Sequence, residues 1–262
     1  MNITVYLGSR SGNRSCYADY AYALGAWIAR HGHTLVYGGS RTGLMGKLAD
    51  GAMQAGGQVI GVEPQFFMDE ELQHEGLTKL IVTPDMTSRK QQMMDLGDIF
   101  LAFPGGIGTL EEISQVMSQV KLHQMEGRFA FLDFDGYYQP MKALIQQMSD
   151  EGFVDEDWAD AVPFLPSFAA LTAFVLGRDL PRPGETWRHF KNHMYRILDL
   201  ADDAETGETY VVYKTLYGEY RDFIRPLDMF LSEVDHDKYP DVLQKCRFEK
   251  PAGLWSWNPA IS

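Results

Sequence analysis

From residue 3 to about residue 176, short β-rich runs alternate with helical patterns. This alternation indicates βαβ units and a parallel sheet, because parallel neighbours need a crossover between them that is usually a helix. The predicted strands cover residues 3–7, 34–37, 59–62, 79–82, 99–103 and 129–133. The predicted helices cover about residues 17–31, 44–55, 88–96, 110–123 and 137–151. The order predicts a doubly wound, Rossmann-like α/β sheet, which binds ligands beyond the carboxyl ends of its strands.

The pattern changes after residue 176. Residues 177–185, GRDLPRPGE, are rich in Pro and Gly and predict a linker. Beyond them, TYVVYKTLYG alternates and is rich in Tyr, Val and Thr, which is typical of strands. We therefore expect two domains, an α/β domain over residues 1–178 and a small, β-barrel-like domain over residues 186–250.

Charge and cysteine usage narrow the range of partners. The chain has 36 Asp and Glu against 23 Lys and Arg, a net charge of −13, so we expect neither nucleic acid nor a membrane surface as a partner. Cys16 and Cys246 make no CxxC pattern, and no signal-peptide pattern precedes the first strand, which together favour a cytoplasmic protein. The seven histidines show no ligand spacing, so no metal is expected. No cofactor is expected either.

Three predicted βα turns are rich in glycine: GSRSGNRS at 8–15, GGSRTGLMG at 38–46 and PGGIGTLEE at 104–112. Each combines a strand end, glycines and a helix start, so backbone N–H groups can converge there on an anion. None matches GxGxxG or a P-loop. One such turn alone often serves only packing, but three of them favour a phosphate-bearing ligand such as a nucleotide.

Two charged segments have more than one interpretation. Thr109 and Glu112 have the spacing of a capping box, although a Glu at a helix start could also orient a water or stabilise a cationic sugar ring. Arg89 and Lys90 follow Thr87 and Ser88, both good N-cap residues, and cations in a first helical turn call for a nearby anion. Alternatively, the two cations form a solvated surface pair.

Taken together, VYGGSRTGLMG at 36–46, SRKQQM at 88–93 and PGGIGTLEE at 104–112 resemble the LOG (Lonely Guy) family of phosphoribohydrolases. The family pattern is GGGxxGLMG, RKxxM and PGGxGTxxE, in this order. The resemblance runs from about residue 3 to residue 152. It departs from the pattern at Ser40, where the family usually has its third glycine, and in the helix VMSQVKLHQMEGR.

The resemblance implies hydrolysis of a nucleoside 5′-monophosphate, a cytokinin riboside monophosphate or AMP, to free base and ribose 5-phosphate. By motif position Arg89 and Glu112 are the catalytic residues. The residues implied in substrate and phosphate binding are Gly8, Ser9, Gly38, Gly39, Lys90, Gly105, Gly106, Gly108 and Thr109. A homodimer is also implied. The alternative is a sensor that binds nucleotides without hydrolysis, with the C-terminal domain as its output; the base preference stays open.

Members of this family were long labelled lysine decarboxylases, but no lysine here stands in a pyridoxal phosphate context. The last domain resembles a small, poorly characterised bacterial domain with the pattern RHxK, Tyr, ETGE, VVY, LYG, RPLxMF and RF. The matching residues are Arg188, His189, Lys191, Tyr195, residues 205–208, 211–213, 216–218 and 225–230, Arg247 and Phe248. Its aromatic side chains are interpreted either as a binding face or as the core of a small barrel, and small cores favour the second.

Overall fold

The structure, a computed structural model, describes residues 1–68, 72–204 and 206–251. The chain divides into two compact units, Met1–Pro166 and Ser167–Ser262. This division comes earlier than the predicted end of the first domain at residue 178, because Ala169 and Ala173 pack into the core of the second unit. Glu205, the first residue of the ETGE segment, lies outside the described residues.

Among the described residues of the first unit, seven strands form one sheet. They are β1 (Asn2–Tyr6), β2 (Thr34–Tyr37), β3 (Gln58–Pro64), β4 (Lys79–Thr83), β5 (Ile99–Ala102), β6 (Arg128–Leu132) and β7 (Phe164–Leu165). Their order is β4-β3-β2-β1-β5-β6-β7, and every neighbouring pair is parallel. The chain therefore winds outward from β1 to β4 and then returns to the other side of β1, which confirms the doubly wound sheet.

Helices connect these strands. They are α1 (Cys16–Arg30), α2 (Gly43–Gln54), α3 (Gln65–Met68), α4 (Met86–Leu96), α5 (Ile107–Lys121), α6 (Gln139–Asp150) and α7 (Glu156–Ala161), with a 3₁₀ turn at Phe134–Gly136. The short elements α3, α7 and β7 were not predicted, because they contain too few residues for a hydrophobic period to show. In the part of the chain that the structure describes, no helix has both the length and the apolar character needed to cross a bilayer.

The core of the first unit lies on the faces of the sheet. Phe100 and Phe131 belong to one buried cluster with Met93 of α4, Ile113 of α5 and Ile145 of α6. The central strands β1 and β5 are almost completely buried, as expected for parallel strands that are covered on both faces.

Helices α1 and α2 approach each other so closely that glycine is required at their contact. A Cβ atom on Gly25 would lie 2.0 Å from the carbonyl oxygen of Leu48, and one on Gly51 would lie 2.0 Å from that of Tyr22. Each helix thus packs against the bare backbone of the other, and this fixes the two helices that follow the first two glycine-rich turns.

The second unit is a small antiparallel β domain, as predicted. Its elements are α8 (Phe168–Leu176), β8 (Thr186–His189), β9 (Met194–Asp202), β10 (Thr209–Thr215), β11 (Asp222–Pro226), α9 (Leu227–Leu231) and β12 (Phe248–Glu249). The described strands follow the order β11-β10-β9-β8-β12. Trp187, Tyr213, Phe230 and Phe248 are buried in its core. Many of its aromatic side chains are therefore core residues.

Candidate active site

An open cavity of about 610 Å³ lies at the carboxyl ends of β1 and β5, where the strand order reverses. Parallel α/β sheets bind their ligands at such a reversal, because the turns on its two sides diverge and leave a crevice. All three glycine-rich turns contribute to the wall: Gly8 and Ser9 after β1, Gly38 after β2, and residues 104–109 after β5.

The turns after β1 and β5 are in direct contact. The N–H of Gly8 donates to the carbonyl oxygen of Pro104 at 3.2 Å. A Cβ atom on Gly105 would lie 2.2 Å from Oγ1 of Thr109 and 2.8 Å from the nitrogen of Gly8, so a side chain has no room there. The Tyr137 hydroxyl donates to the carbonyl oxygen of Gly105 at 2.5 Å. The PGG turn is therefore held from several sides in one shape.

The start of α5 presents N–H groups to the cavity. The helix begins at Ile107 with Gly106 as its N-cap, and a glycine has no side chain with which to cap the helix. The capping-box interpretation is therefore wrong: Thr109 lies inside the first turn and Glu112 in the second, which frees the Glu112 carboxylate for another partner. The first N–H groups of a helix have no intrahelical acceptor and, with the helix dipole, attract an anion.

Helix α4 also begins earlier than predicted. It starts at Met86, and the Asp85 carboxylate caps it by accepting the N–H of Ser88 at 2.8 Å. Arg89 and Lys90 consequently lie beyond the first residues of the helix, where the dipole opposes a cation less strongly than expected. Both side chains meet carboxylates of α5, so the anionic neighbour that the sequence called for is part of the protein.

Arg89 and Glu112 form a buried ion pair in the cavity wall. Nη1 of Arg89 donates to Oε1 of Glu112 at 2.9 Å, and Nε donates to the carbonyl oxygen of Val62 at 2.9 Å. Arg89 is 6% exposed and Glu112 is 9% exposed. A Cβ atom on Gly38 would lie 2.1 Å from Nη2 of Arg89, so the turn after β2 must have glycine there to admit the guanidinium group.

Burial and the positive charge of Arg89 have opposite effects on the pKa values of two carboxylates, Glu112 and Glu63. Burial raises the pKa of Glu112, while the neighbouring Arg89 acts to lower it. A second carboxylate, Glu63 at the end of β3, is completely buried, and in the described chain neither of its oxygens has a hydrogen-bond partner. Burial raises the pKa of Glu63 to about 6, again against the effect of Arg89. Sequence reasoning missed Glu63, although a lone carboxylate in the apolar strand QVIGVEP was a visible signal.

The structure gathers most of the predicted site residues, with two exceptions. Lys90 forms an ion pair with Glu111 and does not line the cavity. Gly39 packs against Glu63, because a Cβ atom on Gly39 would lie 3.1 Å from the Cβ atom of Glu63. The predicted residues that line the cavity are Gly8, Ser9, Gly38, Arg89, Gly105, Gly106, Gly108, Thr109 and Glu112.

The cavity also has apolar lining residues that were not predicted. They include Met45, Phe67, Met86 and Met93, and no spacing in the sequence marks them as a group. Side chains of this kind favour contact with flat or apolar ligand groups over charged ones. The cavity thus offers both anion-binding N–H groups and apolar side chains.

Comparisons with known proteins show which families this chain resembles. Residues 45–173 match the model of a family described as possible lysine decarboxylase, and residues 185–250 match one described as protein of unknown function (DUF1653). The cytokinin riboside 5′-monophosphate phosphoribohydrolase of Rhodococcoides fascians is 42% identical over 154 residues, 58% of this chain and 78% of that protein. The enzyme of the same name, LOG5, from Arabidopsis thaliana is 38% identical over 152 residues, 58% of this chain and 67% of that protein.

Solved structures share the fold at lower identity. The molybdenum cofactor binding protein of Rippkaea orientalis has a TM-score of 0.52 at 22% identity, over 67% of this chain and 95% of that one. The molybdenum cofactor carrier protein of Chlamydomonas reinhardtii has a TM-score of 0.52 at 23% identity, over 66% and 94%. These likenesses show a common fold.

The name lysine decarboxylase implies a different chemistry, which the cavity does not fit. Pyridoxal phosphate enzymes bind their cofactor through a lysine Schiff base. None of the described residues that line the cavity is a lysine. Lys90, which follows Arg89 in α4, is already paired with Glu111.

Proposed function

Because the chain belongs to the family of cytokinin riboside 5′-monophosphate phosphoribohydrolases, we propose that its first unit hydrolyses the N-glycosidic bond of a nucleoside 5′-monophosphate. The products are the free base and ribose 5-phosphate. The observation that carries the proposal is the buried pair of Arg89 and Glu112 beside a helix start rich in free N–H groups. The pair supplies a carboxylate for the sugar, and the helix start supplies a site for the phosphate.

The phosphate binds at the start of α5. Gly106, Gly108 and Thr109 present backbone N–H groups there, and Gly8 and Ser9 complete the site from the turn after β1. This arrangement answers the difficulty raised by a net charge of −13, because the attraction comes from oriented backbone groups close to the anion.

The reaction breaks the bond between C1′ of the ribose and a ring nitrogen of the base. The electron pair of that bond leaves with the base, the oxygen of a water molecule joins C1′, and one water proton ends on the base. Positive charge develops on the ribose in the transition state, where a nearby carboxylate stabilises it and orients the water. Glu112 has this role, and the guanidinium group of Arg89, 2.9 Å away, favours the charged form of this carboxylate against the effect of burial.

The apolar lining residues of the cavity receive the base. Met45, Phe67 and Met86 offer contacts suited to a purine and to an apolar substituent on it, so both AMP and a cytokinin riboside monophosphate are candidate substrates. A panel of nucleoside monophosphates that includes AMP and isopentenyladenosine monophosphate, assayed for released base, tests the function. The absence of base release from every member by folded protein would refute it.

Replacing Glu112 with Gln tests the assigned chemistry. The amide keeps the shape of the side chain but cannot accept a proton or stabilise a cation, so turnover should fall by about 10²–10⁴-fold while AMP still binds. Calorimetry on the same preparation measures the binding. Unchanged turnover would remove Glu112 from the mechanism, and binding with no turnover in the unmodified protein would favour the nucleotide sensor.

We further propose a cytoplasmic homodimer. Ile107, Leu110 and Leu122 of the α5 region are large apolar residues that are 81%, 37% and 60% exposed, which is unfavourable unless a partner covers them. Cys16 and Cys246 are both free thiols, which suits a reducing compartment. Light scattering tests the dimer, and a monomer at micromolar concentration would contradict it.

A further inference from the structure

The second unit contains cations that lack carboxylate partners. Arg225 and Arg247 are half-buried, Lys191 is exposed, and none of the three forms an ion pair in the part of the chain that the structure describes. By contrast, Nζ of Lys250 in the same unit lies 3.0 Å from the carboxylate of Glu185. Among the described residues, the acids of this unit thus leave these three cations without a carboxylate partner.

Aromatic rings accompany the three cations. Cζ of Arg225 lies 5.9 Å from the centre of the Phe248 ring. Cζ of Arg247 and Nζ of Lys191 lie 6.0 Å and 5.9 Å from the centre of the Phe190 ring. We call these five residues the cation–aromatic cluster.

His189 joins the two halves of the cluster. Its ring lies 4.2 Å from that of Phe190 and 4.8 Å from that of Phe248. Burial lowers its pKa to about 4, and the charges of Arg247, Arg225 and Lys191 act in the same direction. The histidine is therefore neutral at pH 7, and all three cations act on one small region.

Tyrosine hydroxyls extend this region to the surface. The hydroxyls of Tyr195 and Tyr217 are 2.8 Å apart, and the Tyr195 ring lies 6.2 Å from that of His189. Tyr217 is 40% exposed and stacks on His193 with ring centres 4.3 Å apart. The cluster thus continues into exposed aromatic side chains that can stack on a flat ligand.

The same residues carry the resemblance to the uncharacterised bacterial domain. That pattern is spread over a long stretch of sequence, yet several of its members come together here. They are His189, Lys191, Tyr195, Tyr217, Arg225, Arg247 and Phe248. Core packing accounts for Phe248. Nε of Arg225 donates to the Tyr213 hydroxyl and Nε of Arg247 donates to Oγ of Ser232, both at 3.3 Å, but neither arginine has a carboxylate partner among the described residues.

A half-buried guanidinium group without a counter-ion is costly, because it has lost water and gained no opposite charge. Arginine also matches the oxygens of phosphate with two parallel hydrogen bonds, and aromatic rings stack on bases. We propose that the cation–aromatic cluster is a second binding site, for a nucleoside 5′-monophosphate. Arg225 and Arg247 bind its phosphate, and the rings of Tyr195 and Tyr217 contact its base.

The site is distinct from the catalytic cavity, whose lining residues all belong to the first unit. Only the choice of a nucleotide as ligand rests on the proposed function. Calorimetry with the full chain carrying Glu112→Gln, in which hydrolysis is expected to be slow, measures how many AMP molecules bind per chain. Arg225→Ala and Lys191→Glu are each added to this background. Arg196→Ala is the matched control, because Arg196 is exposed and points to the opposite face of β9 from Tyr195.

We expect two AMP molecules per chain, one of which Arg225→Ala and Lys191→Glu weaken by about tenfold or more while Arg196→Ala spares it. Lys191 is exposed, so its variant tests the site even if Arg225→Ala fails to fold. Adenosine, which lacks the phosphate, and ribose 5-phosphate, which lacks the base, should each bind this site more weakly than AMP.

A single AMP molecule per chain that neither variant affects would overturn the inference and leave the catalytic proposal intact. Binding of a single AMP molecule per chain that is lost in Arg225→Ala would support the second site and count against the catalytic one. Ribose 5-phosphate binding as tightly as AMP would refute the contact between the base and the tyrosines.

Discussion

Glu63 provides a quantitative test of how burial acts at this site. The carboxylate is completely buried without a hydrogen-bond partner in the described chain, and Gly39 covers it. Replacing it with Gln keeps the shape and polarity of the protonated acid and removes the possibility of ionisation. Any difference in stability that grows with pH therefore reports the charged carboxylate.

The expected size follows from the pKa. Folding raises the pKa of Glu63 from 4.5 to about 6, so the folded chain holds a proton that the unfolded chain releases. Below pH 4.5 Glu63 is protonated in both the folded and the unfolded state, so no buried charge lowers the free energy of unfolding. As the pH rises through the two values, the folded state loses stability, by roughly 2 kcal/mol above pH 6 because one pKa unit is worth about 1.4 kcal/mol.

Thermal unfolding followed by circular dichroism measures this difference. The Tm of Glu63→Gln should exceed that of the unmodified protein by about 4–8 °C near pH 8, and the gap should shrink towards pH 5. Glu126→Gln changes an exposed loop carboxylate and should show no such trend. The unmodified chain, measured at each pH, is the reference for both variants, and a gap independent of pH would refute the reasoning.

Three other substitutions test the geometry. Gly38→Ala should lower kcat/KM for AMP by about 100-fold, because its Cβ would displace Arg89 from Glu112; wild-type kinetics would show that the ion pair is dispensable. Tyr137→Phe should lower kcat/KM about fivefold by releasing the PGG turn, and equal kinetics would mean that the hydroxyl is idle. Gly25→Ala should lower the free energy of unfolding in urea by about 1–3 kcal/mol; an unchanged midpoint would disprove the tight helix contact.

The sheet was predictable from the sequence because its strands are buried on both faces and therefore form short apolar runs. Helix starts were less predictable. Thr109 and Glu112 have the spacing of a capping box, yet the N-cap is Gly106, since this spacing can occur by chance inside a helix. The same holds for α4, where Asp85 caps the helix in place of Thr87 or Ser88.

The boundary between the units and the role of Glu63 depended on packing that spacing does not encode. Helix α8 continues the alternation of the first unit, but Ala169 and Ala173 pack with the second. Glu63 occurs in a strand, and nothing in its neighbours along the chain indicates that Gly39 and Arg89 lie close to its carboxylate. The glycine-rich motifs were therefore sufficient to locate the cavity, whereas the pKa of Glu63 depends on tertiary contacts that the sequence does not show.

The reversal of strand order also bears on how the chain folds. Ile3 in the central strand β1 pairs with Leu35 of β2 on one side and with Ile99 of β5 on the other. During synthesis β5 therefore emerges much later than β2. Closing the longer of these loops costs more chain entropy, and non-local pairing of this kind slows folding. Both sides of the crevice are complete only after the second pairing forms. We therefore expect the candidate active-site cavity to form late in folding, after the turns that line it have been synthesised.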